Sequence, residues 1–216
     1  MKTKNNFSKE LPILIVVLLP VLFFALPIDS LQGETEINWV HPSQISILAT
    51  LAIFIGLNIF IYGILLLAQR IDPKRKNFEA FKSSFYKIRF TISLFMTIVT
   101  GIFVSSNFGM EINELKTIKI LVFALFAVIG NYTYSVKPNY VIGIRTYWTL
   151  NNETVWRKTH QLGSKIMVGF SLTGLVISFI PQNEVVGLIV FFGIIMIMVL
   201  IPVVYSYRLY KKLATK

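Results

Sequence analysis

Few residues of this 216-residue chain could do acid–base chemistry, and they are scattered. Glu153 and His160 stand seven apart, two turns of a helix, so a carboxylate and an imidazole share one helical face. Such a pair could relay a proton. However, no second His–carboxylate pair, His-Glu-x-x-His string or nucleophile elbow accompanies it. His41 lies near Glu34 and Glu36, a set that could sense pH or bind a metal. With no second His nearby, a solvated loop residue is the better reading. The absence of cysteine excludes disulfides, thiolate metal sites and thiol catalysis. So small a set argues against an enzyme: no catalytic, cofactor-binding or metal residue is assigned, and no cofactor is expected.

The densest polar and aromatic pattern runs from Asn131 to Gly163. Pro138-Asn139 is turn chemistry that ends the helix before it. Gly143 permits a backbone geometry or a close approach denied to other residues. Asn151 or Asn152 can cap a short helix, with Glu153 well placed against its N-terminal dipole. Trp156 and His160 then lie four apart on one face, while Arg157 and Lys158 can reach phosphate head groups. From residue physics this is a structured, basic and aromatic elbow at the inner membrane surface. A helix hairpin anchored at the interface would explain most of it.

The elements that must position this elbow are membrane spans. Hydrophobic residues make up 55% of the chain, charged residues 14%, and the mean hydropathy is +0.68. A soluble domain is usually about a quarter charged. Six apolar runs approach the roughly 20 residues needed to cross ~30 Å of hydrocarbon: Leu11–Pro27, Ile45–Ala68, Phe90–Phe108, Ile118–Val136, Leu162–Pro181 and Val185–Tyr207. Pro20 should kink or tilt the first. That run also resembles the start of a secretory signal, but the residues after it make a poor cleavage site, so its retention is expected. Nineteen of the 21 Lys and Arg fall at the N-terminus, in the second and fourth connections or at the C-terminus. The opposite side keeps Lys116 and Lys119 with six acids, so both termini are expected in the cytoplasm. The net charge of +11 therefore reads as topology and contact with anionic lipid, with no direct binding of nucleic acid. The expected fold is an all-α polytopic transmembrane bundle of six spans. It comprises a two-span region over residues 1–89 with a basic cytoplasmic loop, and a four-span region over 90–216 carrying the elbow at 137–161.

No ionisable residue lies near the middle of a predicted span, and no internal repeat is evident, which argues against an ion-coupled transporter. Ser93, Thr97, Gly101 and Ser105 form a narrow stripe suited to close helix packing, as do Gly169, Thr173 and Gly174. Asn58 could hydrogen-bond between helices. The Asp29–Pro42 connection carries Trp39, which suits an interfacial aromatic belt. In the second loop, Phe78, Phe81, Phe85 and Tyr86 alternate with basic residues, suggesting an amphipathic segment on the inner leaflet or a docking surface.

The elbow resembles the SdpI-type bacterial immunity proteins. The resemblance rests on Asn131-Tyr132, Lys137-Pro138-Asn139-Tyr140 and Gly143-Ile144-Arg145-Thr146, continuing through Trp148-Thr149-Leu150, Asn152-Glu153, Val155-Trp156, Lys158-Thr159-His160 and Gly163. Tyr147 stands where the family pattern has Pro. The resemblance implies a multi-pass protein of the bacterial cell membrane that protects its cell from a secreted, membrane-active toxin peptide met at the outer face. It further implies signalling through capture of a cytosolic transcriptional repressor at the basic inner loops. A small-molecule transporter or facilitator, or a membrane sensor without an immunity role, is the competing reading. Asn139, Gly143, Arg145, Trp148, Trp156 and His160 are the candidate determinants of the elbow. Arg145 would offer a fork of donors to a carboxylate, phosphate or carbonyl. Trp148 and Trp156 would anchor the elbow at the interface.

Overall fold

A computed structural model describes residues 4–25 and 47–214, and every regular element among them is helical. In chain order these are α1 (Lys4–Leu18), continued as a 3-10 helix over Leu19–Ala25, then α2 (Ile47–Ile71), a 3-10 turn at Arg75–Asn77 and α3 (Phe78–Asn107). They are followed by α4 (Glu114–Thr133), the short α5 (Tyr147–Asn151), α6 (Glu153–Ser178) and α7 (Glu184–Ala214). Among the described residues, α2, α3, α4, α6 and α7 are long and apolar enough to cross a membrane. They correspond to the second to sixth predicted spans. In the first run α1 gives way at Leu19 to the tighter 3-10 form, which contains Pro20. Proline lacks an N–H and clashes with the preceding turn, so a change of helix type here is expected. The connection bearing Glu34, Glu36, Trp39 and His41 lies outside the described residues.

The contacts divide the chain into two compact units. The first comprises residues 1–64 and 92–117. Its apolar packing joins Leu51 and Ile55 of α2 to Val104 of α3, with Phe23 and Phe103 against them. A polar seam runs beside it. The Asn58 amide donates to Thr97 Oγ1 at 3.2 Å, and the Thr97 hydroxyl donates to the Val16 carbonyl at 2.8 Å. Asn58 therefore makes the interhelical bond expected of it. Of the expected stripe on α3, Ser93 and Thr97 are buried and Gly101 and Ser105 half-buried, which suits packing.

The second unit comprises residues 65–91 and 118–216. Phe123, Ile194 and Met198 form its apolar centre, lined by Phe126, Met167, Phe170 and Phe191. Gly174 is required there, since a Cβ would come within 2.5 Å of the Phe123 ring. Gly169 and Thr173 are exposed, and nothing lies within 4 Å of a Cβ at Gly169. Of that expected seam only Gly174 packs.

Two further expectations are corrected in this unit. The fourth predicted helix does not run to Pro138: α4 stops at Thr133, whose hydroxyl donates to its own helix at Gly130 O. Phe78, Phe81 and Phe85 do not lie on a leaflet, for all three are buried and pack ring against ring within the protein. An aromatic row at helical spacing looks the same in sequence whether lipid or protein covers it.

Candidate functional site

The elbow lies wholly within the second unit, and its backbone is held by side chains at almost every turn. Asn139, fully buried, begins it. Its Oδ1 accepts the N–H groups of Val141 and Ile142 at 2.8 and 2.7 Å, and its amide donates to Lys137 O. One side chain thus supplies the partners that a non-helical backbone would otherwise lack.

Four residues further on, Gly143 has a φ of +113°, a conformation open to glycine alone at little cost. A Cβ here would also stand 2.2 Å from His160 Nε2. Both uses anticipated for this glycine are realised together. The next residue completes the contact: Ile144 N–H donates to His160 Nε2 at 3.0 Å. Since Nε2 accepts, the proton sits on Nδ1, which donates to the Trp156 carbonyl at 2.9 Å. His160 is thereby a neutral imidazole with both nitrogens engaged. It stacks on Trp156 with ring centroids 4.0 Å apart, as their four-residue spacing predicted.

Trp156 is only 1% exposed, and its indole N–H donates to Val136 O at 2.8 Å. It is therefore a core residue of the elbow and not an interfacial anchor. Trp148, half-buried, donates to Ser206 Oγ and tilts against the Tyr207 ring, tying the elbow to α7. Arg145, on the exposed side, spends one guanidinium N–H on the Tyr140 carbonyl. Of the acceptors foreseen for it, a backbone carbonyl is the one in place. The structure gathers the six candidates along one folded stretch, with His160, Trp156 and Gly143 in direct contact. Glu153 does not join them. It is exposed at the first position of α6, whereas His160 is buried.

The helix starts are cleanly capped. Thr146 and Thr149 form a reciprocal capping box on α5, and Asn152 accepts Val155 N–H at 3.0 Å to cap α6. The asparagine cap thus belongs to the long helix, and the short one is capped by threonine. Tyr147 is the first residue of α5 and exposed, a position where proline is equally at home, so its departure from the family pattern leaves the turn intact. At Gly163 a Cβ would meet Ile144 Cδ1 at 2.8 Å, so the elbow presses directly onto α6.

Three partners in the α2–α3 connection escaped the sequence reading. Asp72, buried, accepts Tyr140 N–H at 2.7 Å through Oδ2 and Lys74 N–H at 2.6 Å through Oδ1. Lys74 Nζ donates to Leu150 O at 2.7 Å, and the Asn77 amide donates to Pro138 O at 2.7 Å. The sequence held a signal for the first: a lone acid before Pro73, at the head of a run of cations, is turn chemistry. None marked Asn77. A cavity of about 610 Å³ lies along this seam, lined by Lys74, Arg75, Lys76 and Glu153 among others. Among the described residues no three His, Asp or Glu side chains converge as a metal site requires.

With five helices long and apolar enough to cross a membrane among the described residues, this is a multi-pass membrane protein. Residues 135–206, a third of this chain, match the SdpI/YfhL protein family. Over 107 residues it is 30% identical to a protein of Bacillus subtilis (strain 168) named Immunity protein SdpI, a match covering 50% of this chain and 51% of that one. The chain thus matches about half the length of this curated relative. No solved structure matches it.

Proposed function

We propose that this chain is an immunity protein that protects its cell against a secreted, membrane-active toxin peptide. The observation that carries the reading is its similarity, across half its length, to a curated immunity protein. Six spans with both termini in the cytoplasm follow from the distribution of Lys and Arg. The toxin engages the outer surface or outer helix faces and is kept from disrupting the bilayer. The elbow lies at the cytoplasmic side, where exposed Arg75, Lys76, Lys82, Arg157 and Lys158 present a basic surface.

The hydrogen bonds of the elbow support a link between helix packing and that surface. Trp148 holds α7, Gly163 receives Ile144 on α6, and Asp72 binds the elbow to the basic loop. A toxin that biases the packing of α6 and α7 would alter the presentation of the loop. A cytosolic repressor is its partner in the signalling form of this mechanism. The protein performs no chemistry on the toxin.

The test is survival of a sensitive bacterium challenged with the toxin peptide made by the producer of the Bacillus subtilis relative. Cells expressing the native protein should survive where empty-vector cells die. An Arg145→Ala variant of equal membrane abundance should protect less. Death of cells carrying abundant native protein would reject immunity to that peptide.

A further inference from the structure

At the opposite end of α6 and α7 from the elbow, a buried cation sits beside the start of a helix. Lys119 is the sixth residue of α4 and only 8% exposed. Side chains on a helix lean towards its N-terminus, so Lys119 reaches back towards the end of α4. Its ammonium comes to rest in the first turn of α7, where a Cβ on Gly187 would stand 2.8 Å from Nζ. Gly187 is buried, and the missing side chain leaves the notch that Nζ fills. Among the described residues, none forms a hydrogen bond or ion pair with Lys119 Nζ. Glu184, in the same turn, is exposed and does not pair with it.

The location is electrostatically one-sided. The first turn of a helix carries a partial positive charge, and here Asn183 already accepts the N–H groups of Val185 and Gly187. An ammonium held there meets like charge after losing most of its water, which is costly without an anion. Ionisable residues within membrane helices are rare and mark functional sites by default, and a lysine near a helix end reaches the head-group level. The surroundings narrow the ligand. Phe179, Ile180, Val185 and Ile189 are large apolar side chains left 57 to 66% exposed around this end of α6 and α7. A ligand that fills the site and covers those side chains has an anionic head and hydrocarbon chains.

We propose that Lys119 and the first turn of α7 form a binding site for the phosphate of an anionic phospholipid, whose acyl chains lie on Phe179, Ile180, Val185 and Ile189. Lys119 supplies the charge and the donors, and Gly187 gives the ammonium room. The site is independent of the elbow and of toxin binding.

The full chain is purified in mild detergent with phosphatidylglycerol added, and retained lipid is read by native mass spectrometry. Native protein should hold one phosphatidylglycerol through collisional activation that strips phosphatidylcholine. Lys119→Gln should reduce that retention about tenfold, the worth of a charge-assisted hydrogen bond, and Lys119→Arg should restore most of it. Gly187→Ala, which closes the notch without touching the charge, should weaken retention as well and guards against misfolding of the Lys119 variants. Inorganic phosphate at millimolar concentration should not displace the lipid, because it lacks the chains. Equal retention by native protein, Lys119→Gln and Gly187→Ala would overturn the site. Displacement by inorganic phosphate would overturn its assignment to a lipid.

Discussion

At Gly143 two demands coincide, a φ of +113° and an imidazole nitrogen where a Cβ would stand. Gly143→Ala must therefore both strain its backbone and expel His160 from its bond to Ile144. A loss of about 3 kcal/mol or more is expected, the range of severe single-site effects. Tryptophan fluorescence during thermal unfolding in detergent would report it, because Trp156 is stacked on His160. Gly169→Ala is the matched control. Nothing crowds a Cβ there, so it should stabilise α6 by roughly 0.5–1 kcal/mol through helix propensity. Trp156→Phe should keep most of the packing but leave Val136 O without its indole donor. The expected loss is about 1–3 kcal/mol in the same assay. The candidate residues themselves were legible in sequence because glycine, tryptophan and histidine have restricted uses. What each touches was not. Trp156 looks identical in sequence whether its indole faces head groups or the Val136 carbonyl.

The α2–α3 connection shows where elements decide the outcome. Asp72 receives two backbone N–H groups, one from its own turn and one from Tyr140. Asp72→Ala should orphan both and release the elbow, at about 1–3 kcal/mol for two partly buried donors. Limited digestion by a Lys- and Arg-specific protease should then cut within residues 74–89 several times faster than in the native protein. An unchanged digestion rate would mean that the Phe78, Phe81 and Phe85 packing alone holds the connection. Five spans were readable from apolar run length, since lipid forces a continuous hydrophobic stretch on any helix crossing it. Helix ends were read less well. The fourth run was expected to reach Val136, yet α4 stops at Thr133, three residues earlier, because helix ends are set by local capping and not by hydropathy.

For the whole molecule, orientation is the property most open to direct measurement. The native chain has no cysteine, so single-cysteine labelling has no background. In intact cells, a membrane-impermeant maleimide should label Glu111→Cys, whereas Lys76→Cys should react only after permeabilisation. The reverse pattern would invert the proposed topology and place the elbow outside. The expectation rests on charge distribution, because the positive-inside bias is carried by sequence alone. The junction between the elbow and the α2–α3 connection was not readable. Asp72 and Tyr140 lie 68 positions apart, and no local pattern encodes a pairing at that distance.

That separation also sets a timetable for assembly. A ribosome adding about 5–20 residues per second needs roughly 3–14 s to travel from Asp72 to Tyr140. During that interval the carboxylate of Asp72 awaits its second backbone partner. Until then Asp72 holds only the N–H group of its own turn. The junction that stabilises the finished protein is thus absent for most of the time the chain is being made.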